Sequence, residues 1–239
     1  RSLQKHYARV SPPEEAAEDA IAEPQTAPVI IAGFGRYGQI VARVMLAQGI
    51  PATVLDHSVE MLEVAHTFGY RVYFGDATRV RLLRQAGAGQ AKVLMIAVDT
   101  PQQSLKIAQI ARKHFPHLQI VARARDISHW HALRDLGVTL VERELFESSL
   151  QSAATVLQCM GLEEYEADRT IERFRVHNKE LAERLYPHHK DRERFIATAK
   201  QGRNQLVEQM AREREERLRE KRAANDSRSP AQDSDTPAA

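Results

Sequence analysis

The 239-residue sequence predicts an α/β fold, a doubly wound parallel sheet followed by C-terminal helices. Two observations carry that prediction. Short β-branched runs alternate with helix-length segments from Val29 to Glu142, and glycine or proline falls where each helix must turn back toward the sheet. The runs are mostly continuous in hydrophobicity rather than alternating, as expected of strands covered on both faces.

Taken in order, the strands are predicted over residues 29–32, 52–55, 71–74, 93–98, 119–122 and 138–141. Helices stop at Gly49, Gly69, Gly87 and Gly137, where glycine relieves the left-handed residue after the last turn. Thr100-Pro101-Gln102-Gln103 reads as a capped start, with Thr100 at the cap, Pro101 in the first helical position and Gln103 reaching back. Ile107, Ala108, Ala111 and Phe115 then share one helical face. Six strands alternating with five helices predict the strand order 3-2-1-4-5-6.

Beyond residue 141 the pattern changes. Leu145, Phe146, Leu150, Ala153, Ala154 and Leu157 form an apolar helical stripe over 142–160 with no strand after it. Such a stripe predicts association, here a homodimer. A second helix is predicted over 163–182, and the Arg/Glu/Gln-rich run over 191–222 reads as a solvated helix. The resulting organisation is a linker (1–28), the sheet domain (29–141), the two helices (142–182), a charged helical extension (183–222) and a disordered tail (223–239).

Composition narrows the function classes. With 34 basic and 32 acidic side chains the net charge is +2, which gives no electrostatic footprint for nucleic acid. Cys159 is the one cysteine, so no disulfide forms within the chain, and beside Val156, Leu157 and Met160 it reads as a packing residue. The longest apolar runs have the length of strands, far short of the roughly 20 residues of a membrane helix. The chain opens at Arg1 without methionine and enters a Pro/Glu/Ala stretch, which reads as a linker from a further domain upstream or, alternatively, as an ordinary disordered N-terminus.

The chemistry is concentrated at Gly33-Phe34-Gly35-Arg36-Tyr37-Gly38, which ends a strand and opens a helix. Gly33 permits the tight turn, Gly35 lets the backbone approach a phosphate, and Gly38 allows close helix–strand packing. A helix N-terminus adds a favourable dipole for an anion. Asp56 falls at the end of the next strand, about twenty residues on, where a carboxylate hydrogen-bonds ribose hydroxyls and disfavours a 2′-phosphate. The sheet is therefore Rossmann-like, with NAD(H) or an adenosine nucleotide such as AMP preferred over NADP. Asp56, Asp76, Asp99 and Asp126 all lie at the C-terminal strand edge. Asp126 reads as a helix cap alone. Gly75-Asp76-Ala77-Thr78 reads either as an ordinary strand-to-helix turn or as the adenosine end of the cleft. The predicted nucleotide contacts are Gly33, Gly35, Arg36, Tyr37, Gly38, Asp56, His57, Asp76 and Ala77.

No catalytic constellation accompanies this turn. A dehydrogenase needs a substrate domain and an acid or base beside the nicotinamide, and the charged C-terminal helices offer neither. His129 and His131 splay on a helix and His188 and His189 are adjacent, so no metal site is expected. The chain reads as a binding module rather than an enzyme.

Residues 29–39, Leu55-Asp56-His57, Gly75–Thr78 and the run from His114 to Asp126 resemble the cytoplasmic KTN/RCK domain of Kef-type glutathione-gated potassium efflux systems. The resemblance covers about residues 29–178. It implies attachment to an upstream membrane half that exports potassium, at the cytoplasmic face of the bacterial inner membrane. It further implies a homodimer, a nucleotide in each cleft, glutathione at the subunit interface and, in some systems, an ancillary flavoprotein subunit. Glutathione holds such systems closed and its bulky adducts open them. The implied glutathione contacts are Arg43, Arg143 and Asn178, with Phe68 as the aromatic that senses bulk on the sulfur. Two arginines suit a ligand with two carboxylates. Arg36, Gln39 and Arg43 share a polar stripe of the first helix opposite Ile40, Val41 and Val44, and Arg143 is expected to begin the long helix after the sheet. The alternatives are a nucleotide-gated KTN/RCK subunit of another potassium transporter and an NAD-dependent oxidoreductase.

Overall fold

The computed structural model describes residues 23–58, 60, 61, 65 and 72–226. Six parallel strands form one sheet in the order β3-β2-β1-β4-β5-β6. They are β1 (Val29–Ala32), β2 (Ala52–Asp56), β3 (Val72–Phe74), β4 (Val93–Ile96), β5 (Gln119–Ala124) and β6 (Leu140–Arg143). Four crossover helices are described, α1 (Arg36–Ala47), α2 (Val80–Gln85), α3 (Pro101–His114) and α4 (Ile127–Asp135). The strand order is the one the sequence predicts. Its direction reverses between β1 and β4, which opens a crevice at their C-terminal ends.

The core lies on the central strands. Val29 pairs with both Ala52 and Val93, and the register runs on to Ala32 opposite Leu55 and Ile96. Ile30, Ile31, Leu94 and Ile96 are fully buried, each contributing about 1.5–3 kcal/mol of apolar burial. Local signals set the helix ends. Thr100 accepts the Gln103 N–H at the start of α3, and Asp126 accepts the His129 N–H at the start of α4, as a cap should.

Several boundaries differ from expectation. β6 is Leu140–Arg143, not 138–141, because the Val138 N–H is spent on the Leu133 carbonyl in closing the turn at Gly137. Arg143 therefore ends a strand, and α5 (Phe146–Cys159) starts after it rather than at residue 142. β4 stops at Ile96, and β5 runs on to Ala124. The end of the predicted linker is not free chain: the Gln25 N–H donates to Gln85, and Pro28 accepts from Lys92 and Val93. Ile40 and Val44 are exposed, so they do not form the inner face of α1; Gly38 and Ala42 do. Cys159 is exposed at the end of α5 rather than packed. Phe68 and Gly69 lie outside the described residues, as do 1–22 and 227–239.

The chain divides into two compact units, Arg1–Ser149 and Leu150–Ala239. In the second, α6 (Glu164–Leu185) is followed by a 3₁₀ turn (Tyr186–His188) and α7 (Arg192–Asp226). The two long helices pair antiparallel: His177 contacts the Gly202 carbonyl at 3.0 Å, and Arg217 approaches Glu166 at 3.9 Å. A Cβ on Gly202 would lie 2.4 Å from a Leu181 methyl, so glycine sets how closely they approach. Helix continues through Asp226, and residues 223–226 thus belong to α7 rather than to a tail.

Candidate functional site

The turn between β1 and α1 is built by two obligatory glycines. Gly33 has φ of 103°, and a Cβ there would lie 2.8 Å from the backbone of Ala97 and Val98. A Cβ on Gly38 would lie 1.9 Å from the Gly33 carbonyl oxygen. Gly35 differs. Its φ is −65°, and an added Cβ would meet only the Asp99 carboxylate, at 3.7 Å. The protein's own packing does not require glycine there, which leaves room for an approaching group. α1 opens at Gly35 with no side-chain cap and no acidic residue in its first turn, so the carboxylate beside Gly35 at its N-terminal dipole is that of Asp99, from outside the helix.

Asp56 is buried at the end of β2, and its carboxylate accepts the Phe34 N–H at 2.6 Å and the Ser58 N–H at 2.8 Å. It ties the strand end to the glycine turn. His57 is exposed beside it, its Nδ1 4.0 Å from Asp56 Oδ1. At the end of β3, Asp76 accepts the Thr78 N–H and hydroxyl at 2.9 and 2.8 Å. Burial pushes the Asp76 carboxyl up, but these bonds, with Lys106 and Arg79, outweigh it and hold the group below its ordinary value.

One cleft gathers Gly33, Asp56, His57, Asp76 and Ala77, together with Leu55, Gly75, Val98, Gln103 and Ile107. Gly35, Arg36, Tyr37 and Gly38 do not line it; Gly35 caps α1 and the other three form its first turn, where Arg36 is exposed and Tyr37 half-buried. Burial first, then Glu142, raises the Tyr37 phenol above its ordinary value, with Arg123 opposing. Gln103 and Ile107 join the cleft from α3, where the sequence marked them only as a cap partner and a core face.

Of the expected glutathione contacts, Arg43 is exposed on α1. Arg143 is half-buried at the end of β6, its guanidinium 3.9 Å from the Phe146 ring centroid. Burial lowers the Arg143 guanidinium from its ordinary value, against Glu142 and Glu147, which raise it. Asn178 is half-buried on α6 in the second unit.

A residue that sequence reasoning passed over is Arg123, near the end of β5 and only 7% exposed. Its nitrogens reach the Ala97 carbonyl at 3.3 Å, Asp99 at 3.2 Å and Glu144 at 3.1 Å, and its guanidinium stands 5.7 Å from the Tyr37 ring centroid. No group of His, Cys, Asp and Glu suited to a metal occurs among the described residues.

This sheet, glycine turn and strand-end carboxylate define a Rossmann-type fold, and the TrkA-N domain family matches residues 29–143. The potassium efflux system KefB C-terminal domain family matches residues 148–227. The glutathione-regulated potassium-efflux system protein KefC of Salmonella arizonae is 47% identical over 157 residues, 66% of this chain. The chain spans 25% of that relative's length. The structure of the Kef C-terminal domain of Shewanella denitrificans in its AMP-bound form is 40% identical with a TM-score of 0.62, over 66% of this chain and 97% of that one. The NAD(P)-binding domain of an exopolyphosphatase-related protein from Archaeoglobus fulgidus shares the fold at 17% identity and a TM-score of 0.50, over 55% of this chain and 98% of that one. The chain belongs to the Kef family, as a Kef-type C-terminal regulatory domain.

Proposed function

We propose that this chain gates potassium efflux through a membrane antiporter half to which it is joined, on the cytoplasmic side of the bacterial inner membrane. It binds an adenine nucleotide, AMP or NAD(H), in the cleft beside Asp56 and Asp76. Glutathione or its S-adducts occupy a second site that draws on Arg43, Phe68, Arg143 and Asn178. The working unit is a homodimer, with an ancillary flavoprotein in systems that encode one. The role is regulatory and not catalytic.

The observation that carries this reading is the glycine turn. The protein's own backbone forces Gly33 and Gly38, whereas the space at Gly35 serves an incoming group. A relative solved with AMP favours a mononucleotide as that group. The glutathione assignment leans on the similarity to KefC, a glutathione-regulated system, and on the match between two arginines and a ligand with two carboxylates. The KefB-type match over 148–227 favours this reading over a subunit of another potassium transporter.

Calorimetry of the 239-residue chain tests both halves. AMP is expected to bind without turnover, and reduced glutathione to bind separately. Arg43→Ala and Arg143→Ala are each expected to weaken glutathione by about 1.5–3 kcal/mol, the scale of a charge-assisted hydrogen bond. Glutathione binding at the wild-type level in both variants sinks this assignment. Robust hydride transfer from NADH to small carbonyl compounds sinks the regulatory reading.

A further inference from the structure

We infer that Arg123 is a positioning residue that transmits occupancy of the nucleotide cleft to the end of β6, where Arg143 stands. The inference rests on the nucleotide half of the proposed function. A guanidinium that is 7% exposed persists only where its donors are satisfied. Here one fork is divided among segments distant in sequence. Nη1 bonds the Ala97 carbonyl just past β4, and Nη1 and Nη2 both reach Asp99 Oδ1 at 3.2 Å. Nε lies 3.1 Å from Glu144 Oε2, immediately after β6.

The two carboxylates are held unequally. Asp99 is 82% exposed, so water and ions compete for it and its bond is the weaker one. Glu144 is 23% exposed, and its backbone N–H extends the sheet by donating to the Ala124 carbonyl at 2.9 Å. The exposed end of this network faces the phosphate turn: Asp99 lies 3.7 Å from the Cβ position of Gly35, and the guanidinium stands over the Tyr37 ring. The sheltered end abuts Arg143, which stacks on Phe146 at the start of α5. A phosphate entering at Gly35 repels the Asp99 carboxylate and offers Arg123 a new anionic partner. The guanidinium shifts toward the ligand while its bond to Glu144 holds, and the residues around Glu144 are drawn with it. An anionic ligand thereby favours one arrangement of the β6–α5 junction through differential contacts, as coupling between sites requires.

Hydrogen–deuterium exchange on the 239-residue chain, with and without AMP, tests this. In the wild type AMP is expected to slow exchange in the phosphate turn and also, by roughly fivefold or more, over residues 140–149, the low end of ordinary coupling between sites. Glu144→Ala, which removes the acceptor of the Arg123 Nε–H, is expected to bind AMP within about threefold of wild type and to keep protection at the turn while losing it over 140–149. Arg123→Lys keeps the charge but cannot span the three segments at once, and it is expected to lose the distant response likewise. A merely structural role for these residues would lower the melting temperature and leave the AMP-dependent difference at 140–149 intact. That result, in either folded variant, overturns the inference, as does a wild type in which AMP protects the turn but not 140–149. Absence of any AMP effect in the wild type overturns the nucleotide reading, and the relay falls with it.

Discussion

Asp56 and Phe34 are joined by a 2.6 Å bond from the Phe34 N–H to the Asp56 carboxylate, across 22 residues of sequence. The second carboxylate oxygen accepts the Ser58 N–H. The acidic residue at the end of β2 thus braces the glycine turn from within the protein, in addition to facing the cleft. Asp56→Ala is expected to leave buried N–H groups unpartnered and to cost about 1–3 kcal/mol of stability. Nucleotide affinity should fall with it, while Asp56→Asn, which keeps only one of the two acceptors and turns an NH2 toward the other N–H, should recover only part of the stability. Thermal melts paired with AMP calorimetry check this; an Ala variant as stable as wild type contradicts the bracing role.

The glycines of the turn should separate by function. Gly38→Ala puts a methyl 1.9 Å from a carbonyl oxygen and is expected to cost about 3 kcal/mol or more. Gly35→Ala finds ordinary space and an ordinary φ, so stability should change by no more than about 0.5 kcal/mol. AMP affinity should nevertheless fall roughly tenfold, equivalent to about 1.4 kcal/mol. A Gly35→Ala protein that binds AMP normally removes the phosphate-approach role.

His129 gives stability a defined pH dependence. Burial, then Arg123, lowers its pKa against Asp126, and its Nδ1 accepts the Arg125 N–H. The folded value lies below the unfolded one, about 6.5. The unfolded chain therefore binds the proton first as pH falls, and stability declines from about pH 6.5 down to the depressed folded value, by at most about 1.4 kcal/mol per pH unit. His129→Asn, whose Oδ1 can stand for Nδ1, should flatten this part of the profile. Urea unfolding between pH 7 and 5 provides the measurement, and an unchanged slope in the variant counts against this assignment.

Of the apolar stripe expected to join two copies, Leu150 and Ala154 are buried within this chain, and α5 instead exposes Val156 at 61%, with Met160 just beyond it at 76%. A homodimer that covers them is expected in sedimentation at tens of micromolar, and the double variant Val156→Glu, Met160→Glu should sediment as a monomer. A wild-type monomer at that concentration removes the dimer proposal.

Strand order was legible because its signals are local. The Thr100 cap, the glycines after α1, α2 and α4, and the unbroken apolar runs at β1 and β4 each act within a few residues. The edge strand β6 was not, because apolar pattern fails where one side of a sheet is open. There the polar Glu142 and Arg143 pair with Arg123 and Ala124, while the apolar Val138 serves a turn. Sequence put the glycine turn before α1 and Asp56 at the end of β2, where the structure has them, but held no local signal for Arg123, whose partners come from segments 24 and 21 residues apart in either direction. The exposure of Ile40 and Val44 was hidden for a related reason: helical periodicity identifies an apolar face but not whether this chain covers it.

The attachment of residues 23–28 has a mechanical consequence. Gln25 is pinned to the Gln85 carbonyl, Gly87 leaves room for its close passage, and Pro28 accepts from Lys92 and Val93, so tension on this segment loads the Gln25 bond first and the Pro28 pair next, before any strand. Once those bonds part, the pull reaches β1, which lies between β2 and β4 with a four-residue ladder on each side. Force along a central parallel strand shears both ladders at once instead of unzipping one bond after another. The domain therefore yields a few residues of slack at low force and then stiffens, so that a small displacement of the segment leaves the cleft intact whereas a larger one is carried through β1 to the glycine turn itself.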